Sequence, residues 1–170
     1  CAMFDVYDPK EKTWKSLPNA PSIRDHSSSV IIKDQLITLG GRNTSYHEPD
    51  NFTSFFSTTT GQVDYFDFIS QKWNSYKSEL PAPGAGAGAI ALKGKVYFVG
   101  GETEETPANN HMYAFDPKND TWTKKSFLNR GRHGTNAVLF KGKIYIAAGS
   151  GNRGGGPELN SIEVYSEEQL

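Results

Sequence analysis

Five arginines, four histidines and one cysteine are the side chains here with recognition or catalytic chemistry to offer. Arg24, Arg42, Arg130, Arg132 and Arg153 carry planar forks that suit bidentate capture of carboxylate or sulfate. His26, His47, His111 and His133 are of the type that ligates metals or moves protons. Only His47 begins a metal-like cluster, beside Glu48 and Asp50, and no second histidine lies at ligand spacing nearby. No nucleophile–base pattern appears. The run Gly84-Ala-Gly-Ala-Gly-Ala89 lacks the Lys-Ser/Thr and the following helix of a phosphate loop, so its small residues are expected to serve close packing. These residues favour recognition over catalysis, with no catalytic residue, metal or cofactor expected.

The elements that must position them are betrayed by a repeat. Tyr7, Phe66, Phe115 and Tyr165 recur 59, 49 and 50 positions apart, and the first three are each followed seven residues later by Trp14, Trp73 and Trp122, the three tryptophans of the chain. Upstream lie Thr38-Leu39-Gly40-Gly41, Phe98-Val99-Gly100-Gly101 and Ile146-Ala147-Ala148-Gly149. Before those, apolar runs are split by Lys33-Asp34, Lys93-Gly94 and Lys141-Gly142, the pattern of a tight hairpin. An Asp-led turn such as Asp116-Pro117-Lys118-Asn119-Asp120 separates each aromatic from its tryptophan. The unit is therefore four short antiparallel strands, A to D, with no sustained helical periodicity.

This unit resembles the kelch repeat of β-propellers, whose period is about fifty residues and whose rings hold four to eight blades. The resemblance implies an all-β fold of four-stranded blades, about three of them present. Residues 1–17 end one blade, 18–80 and 81–128 form two more, and 129–170 make a last, incomplete one. The expected remainder is either upstream chain, with an N-terminal segment completing the last blade, or copies of the chain itself. Ala148 departs from the diglycine pattern, and Gly84 stands where other units carry Arg24 and Arg132. The superfamily also includes galactose-oxidase-like copper enzymes, which need a cross-linked Cys–Tyr pair; the lone Cys1 precedes every blade motif. An oxidase or lyase would need its site completed by other blades.

In such a blade the D–A and B–C connections share one face. All five arginines and all four histidines are expected there, and none of the thirteen lysines. The candidate partner-binding residues are Arg24, His26, Arg42, Tyr46, His47, Glu102, Arg132, His133, Asn152 and Arg153. For Arg24 and Arg132, bracing of their own loops is an equal expectation; for Arg42 and Arg153, contact with a partner is favoured. The first B–C connection, 42–62, is much longer than the usual two to six residues and carries Tyr46, Phe52, Phe55 and Phe56, expected to pack or to meet a partner. The last, Ser150–Glu158, is glycine-rich.

A net charge of −1 and a pI near 6.5 argue against nucleic acid or an anionic membrane as the main partner. The longest apolar runs are of strand length, so no membrane insertion is expected. Sequons at Asn43, Asn51 and Asn119 fall in expected loops and admit a secreted glycoprotein, with a cytoplasmic protein as the alternative. The partner expected is a protein or an acidic glycan. A structural subunit of an extracellular glycoprotein assembly, packing against copies of itself, is the second expectation.

Overall fold

Lysine-led turns fold each pair of apolar runs back on itself. In the computed structural model, which describes residues 3–166 and so excludes Cys1, there are thirteen strands. They are β1 (Phe4–Asp8), β2 (Thr13–Leu17), β3 (Ser28–Ile32), β4 (Gln35–Leu39), β5 (Asp64–Asp67), β6 (Lys72–Ser75) and β7 (Gly88–Leu92). Then follow β8 (Lys95–Val99), β9 (Met112–Asp116), β10 (Thr121–Lys124), β11 (Ala137–Phe140), β12 (Lys143–Ala147) and β13 (Ile162–Tyr165). Lys33, Lys93 and Lys141 take φ of 52°, 50° and 48°, and Gly94 and Gly142 follow at 74° and 73°. In the second and third hairpins positive φ at both central residues gives a turn whose twist matches that of its strands; in the first, Lys33 alone takes positive φ and Asp34 does not.

Every pairing is antiparallel, in sheets ordered β1-β2, β3-β4-β5-β6, β7-β8-β9-β10 and β11-β12-β13. These are blades of a β-propeller. The turns between the third and fourth strands are held by their leading aspartates: Asp8, Asp67 and Asp116 accept the backbone N–H of Lys10, Ser70 and Lys118 at 2.8, 2.7 and 3.0 Å. Innermost strands β3, β7 and β11 stand side by side. Just before each lies a residue of positive φ, and these are linked in series: Gly86 donates its N–H to His26 O and Gly134 donates to Gly86 O, both at 2.8 Å. The expected close packing of the Gly-Ala run is met at Gly88, where a Cβ would lie 2.8 Å from Ala137 N.

Two cores lie between blades. Val96 and Phe98 of β8 face Ile37, Leu39 and Phe115 on one side, while Tyr97 and Val99 face Ile144, Ile146 and Tyr165 on the other. The alternation is the two-residue period of a strand buried on both faces. The repeat aromatics pair directly with the tryptophans: Tyr7 with Trp14, Phe66 with Trp73, Phe115 with Trp122. Each tryptophan sits on the outermost strand, as expected, but their surroundings differ. The Trp73 indole donates to Pro18 O at 2.7 Å and that of Trp122 to Ser78 O at 3.4 Å, each hooking the blade before it. Trp14 faces no preceding blade among the described residues and is 71 % exposed.

Candidate functional site

Arginine, a flat donor fork, is placed in two blades as an internal clasp. Arg24 Nη1 donates to Gly40 O and Gln62 O at 3.1 and 3.0 Å, and its Nη2 reaches Asp64 Oδ2 at 2.5 Å. Arg132 repeats this with Ala148 O and Ser161 O at 3.0 and 3.1 Å and with Glu163 Oε1 at 2.8 Å. Asp64 and Glu163 occupy the same ladder position, opposite Thr38 and Ile146. In the blade between, that position is Tyr113, opposite Phe98, and the arginine is Gly84. Clasp and counter-charge are lost together, because either alone would be a buried unpaired charge. Arg132 has no exposed surface and the Arg24 side chain is 5 % exposed, so both forks are turned into their own blades. Of their two expected roles, bracing is the one the geometry allows.

Arg42 also departs from expectation. Rather than standing clear of its strand it is buried, with Nη1 donating to Glu102 Oε1 at 2.7 Å and Nε 3.4 Å from Asp25 Oδ1. Phe56 covers its guanidinium at 5.2 Å. Glu102, itself 3 % exposed, is the hub of this face. Its other oxygen accepts the Gly154 N–H at 2.7 Å, and His133 Nε2 lies 3.4 Å away. One carboxylate thus ties together residues of three successive blades. It is a bracing residue, as is Arg42, and not the exposed contact expected of either. Burial works against the charge of Asp25, but the Thr44 hydroxyl and amide and the neighbouring His26 hold its carboxyl below the usual aspartate range.

The long 42–62 connection folds over this hub through a 3-10 turn at Thr44–Tyr46 and one helical turn at Ser54–Ser57. Its aromatics divide between the two expected fates. Phe56 is buried against the hub and meets Phe52 edge-on at 5.2 Å, and a Cβ on Gly154 would lie 3.1 Å from the Phe52 ring. Phe55 stacks on His47 at 4.2 Å. Tyr46 and the rest of the Phe52 ring stay open, at 73 % and 64 % exposure. The long loop therefore touches the glycine-rich loop across the blade that separates them.

Of the remaining expected residues, His26 is exposed, with Nδ1 2.6 Å from Asp25 Oδ1. His133 Nε2 lies 2.8 Å from Asn152 O; a carbonyl only accepts, so that nitrogen carries the proton. Asn152 Oδ1 faces Arg130 Nη2 at 3.5 Å. Arg153 lies 5.9 Å over Phe56, and its Nη1 donates to Glu104 O. His111, half-buried in the blade without a clasp, has a buried Nδ1 with no partner. Burial first and the charge of Lys124 second lower its pKa below the ordinary histidine value. The exposed Asn51 and Asn119 amides donate to Glu48 and Asp116 at 2.9 and 3.0 Å, while Asn43 caps the 3-10 turn.

The face is also less purely arginine-bearing than expected. Lys77 and Lys125 stand past the ends of β6 and β10, within connections expected to lack lysine. Asp25, Asp64 and Glu163 went unremarked in the sequence, although the last two stand two residues before Phe66 and Tyr165 and co-occur with a clasp arginine. Among the described residues no group of three or more His, Cys, Asp or Glu is placed to hold a metal ion.

A family model described as the KLHDC2/KLHL20/DRC7 Kelch-repeats domain matches residues 1–165. Kelch-like protein terF of Aspergillus terreus is 29% identical over 149 residues, covering 86% of this chain and 30% of that protein. Alpha-scruin of Limulus polyphemus is 28% identical over 173 residues, covering 97% of this chain and 18% of its own length. The F-box/kelch-repeat protein SKIP30 of Arabidopsis thaliana is 28% identical over 148 residues, with 85% and 42% covered. The chain thus spans less than half of each of these relatives. The solved structure of YjhT superposes with a TM-score of 0.83 at 17% identity, over 99% of this chain and 58% of that one, a likeness of fold. With a family model matched over nearly its whole length and the blade repeat visible strand by strand, this chain belongs to the Kelch-repeat family.

Proposed function

We propose that this propeller segment is a non-catalytic module that binds a protein partner through the face bearing its D–A and B–C connections. The observation that carries this reading is the Glu102 hub, where a buried carboxylate receives Arg42 at 2.7 Å and the Gly154 N–H at 2.7 Å. Loops of three blades become one preformed surface, and a preformed surface loses less entropy on binding. That surface offers Tyr46 and Phe52 to solvent, the residue types that anchor protein interfaces. Kelch-family relatives that join such repeats to an F-box or a BTB domain support a binding role. The arginines left for an acidic partner reduce to Arg130 and Arg153, since Arg24, Arg42 and Arg132 are spent inside. The reading is therefore a protein partner, without an acidic glycan.

The test is affinity capture with three immobilised forms of the full protein: wild type, Tyr46→Ala with Phe52→Ala, and Lys15→Glu with Lys143→Glu. A protein retained by the wild type and by the lysine pair, but reduced about tenfold by the aromatic pair, is the expected outcome. Equal retention by all three would assign binding to another surface.

A further inference from the structure

Three of the five arginines on the face that carries the D–A and B–C connections are sealed against carboxylates, which reverses the sign of the charge left over. Outside the pairs Arg24–Asp64, Arg42–Glu102 and Arg132–Glu163, those connections keep four cations, Lys77, Lys125, Arg130 and Arg153. Against them stand Glu48, Asp50, Glu79, Glu104, Glu105 and Glu158, besides Asp25, which shares Arg42. Two of these carboxylates meet at one cleft of about 300 Å³, between the long 42–62 connection and the connection from β8 to β9. Phe56 and Pro83 give the cleft apolar surface. Glu104 and Glu105 are exposed there and make no ion pair among the described residues.

No lysine or arginine lines the cleft. Of the cations close by, Arg153 donates to the Glu104 backbone carbonyl, not to its carboxylate, and Lys124 lies over the Phe127 ring at 4.7 Å. The hydrogen-bonding groups of the lining are unbalanced in the same sense. The Ser57 hydroxyl and the Asn109 amide already donate inside the protein, to Ser54 O at 3.1 Å and Pro83 O at 3.4 Å. The acceptors are left over. Beside the two carboxylates, His111 lines the cleft with its Nδ1 buried and unpartnered. Burial favours the uncharged ring, in which one nitrogen is an acceptor. A cleft rich in acceptors and anionic at its rim, with an aromatic wall, suits a long side chain that has an apolar stem and only donors at its tip. Resting on the reading that this face binds a protein, we propose that the cleft seats an arginine or lysine of that partner, its stem against Phe56 and Pro83 and its cation at Glu104 and Glu105.

The full protein, titrated with the peptide acetyl-Gly-Leu-Arg-Leu-Gly-amide and followed by backbone amide NMR shifts, tests the assignment. Saturable shifts are expected at residues 57–59, 103–105 and 109–111. Glu104→Gln with Glu105→Gln should weaken binding about tenfold, with amide dispersion retained. A peptide with citrulline, the uncharged isostere, in place of arginine should bind the wild type as weakly. Glu11→Gln with Asp34→Asn, from turns on the opposite face, should change binding less than about twofold. Equal loss from that distant pair would reduce the effect to bulk charge and overturn the proposal. Equal binding of the citrulline peptide, shifts confined to other residues, or a failure to saturate would overturn it as well. The glutamine pair also enters the affinity capture. A partner lost with Tyr46→Ala and Phe52→Ala, yet held at wild-type strength by Glu104→Gln with Glu105→Gln, would leave the binding face standing and overturn the cleft alone.

Discussion

A guanidinium sealed in a blade is stable only while its carboxylate is there, so the clasps are where one side chain should matter most. Replacing Arg132 by Ala strands Glu163 and is expected to cost about 3–5 kcal/mol in a denaturant titration. Arg132→Met with Glu163→Gln should cost clearly less, since no charge is left unpaired. Glu163 also sets a pH dependence. Burial alone would raise its pKa, but the Asn129 and Arg130 amides, the Tyr165 hydroxyl and Arg132 together hold it below the ordinary 4.5. A folded value below the unfolded one means that this stabilisation is complete above about pH 4.5 and is lost as pH falls through the folded value. Melting temperature should therefore drop below pH 4.5 in the wild type and drop less steeply in Glu163→Gln. Identical profiles would show that the carboxylate is not the titrating clasp.

At the scale of elements, the three tryptophans form an internal series. Trp73 and Trp122 are half-buried and hook the preceding blade, whereas Trp14 lies open. Trp73→Ala and Trp122→Ala are expected to cost about 2–3 kcal/mol each, below the figure for a fully buried tryptophan. Trp14→Ala should stay within about 0.5 kcal/mol. Equal losses at all three would contradict the blade-hooking account. The strands themselves were legible from sequence, because a two-residue hairpin turn and a directly paired aromatic and tryptophan are local or near-local constraints. The ends of β6 and β10 were not, and with them went the exclusion of Lys77 and Lys125 from the arginine-bearing face.

For the whole described segment, the outer sides of the terminal sheets are apolar and wet. Val138, Phe140, Ile162 and Val164 are exposed at one end, and Tyr7 and Trp14 at the other. Patches of this kind drive association. A polypeptide of residues 1–170 alone should therefore self-associate at micromolar concentration in analytical ultracentrifugation. Phe140→Glu with Ile162→Lys should shift it toward monomer. A stable wild-type monomer at all concentrations would mean that the flanks are protected in solution.

By itself the sequence determined the blade: its repeat length, its strand pairing, its turn residues and the clustering of arginine and histidine in particular connections. Those properties are set within about fifty contiguous residues, where spacing translates directly into geometry. Which arginine is a clasp and which is free was decided only in three dimensions. Arg42 meets Glu102 across 60 residues of chain and Arg24 meets Asp64 across 40. Phe56 and Phe52 find Gly154 only because a third blade stands between their loops. Burial of a charge depends on what packs over it, and that cover comes from segments whose spacing in sequence carries no fixed period.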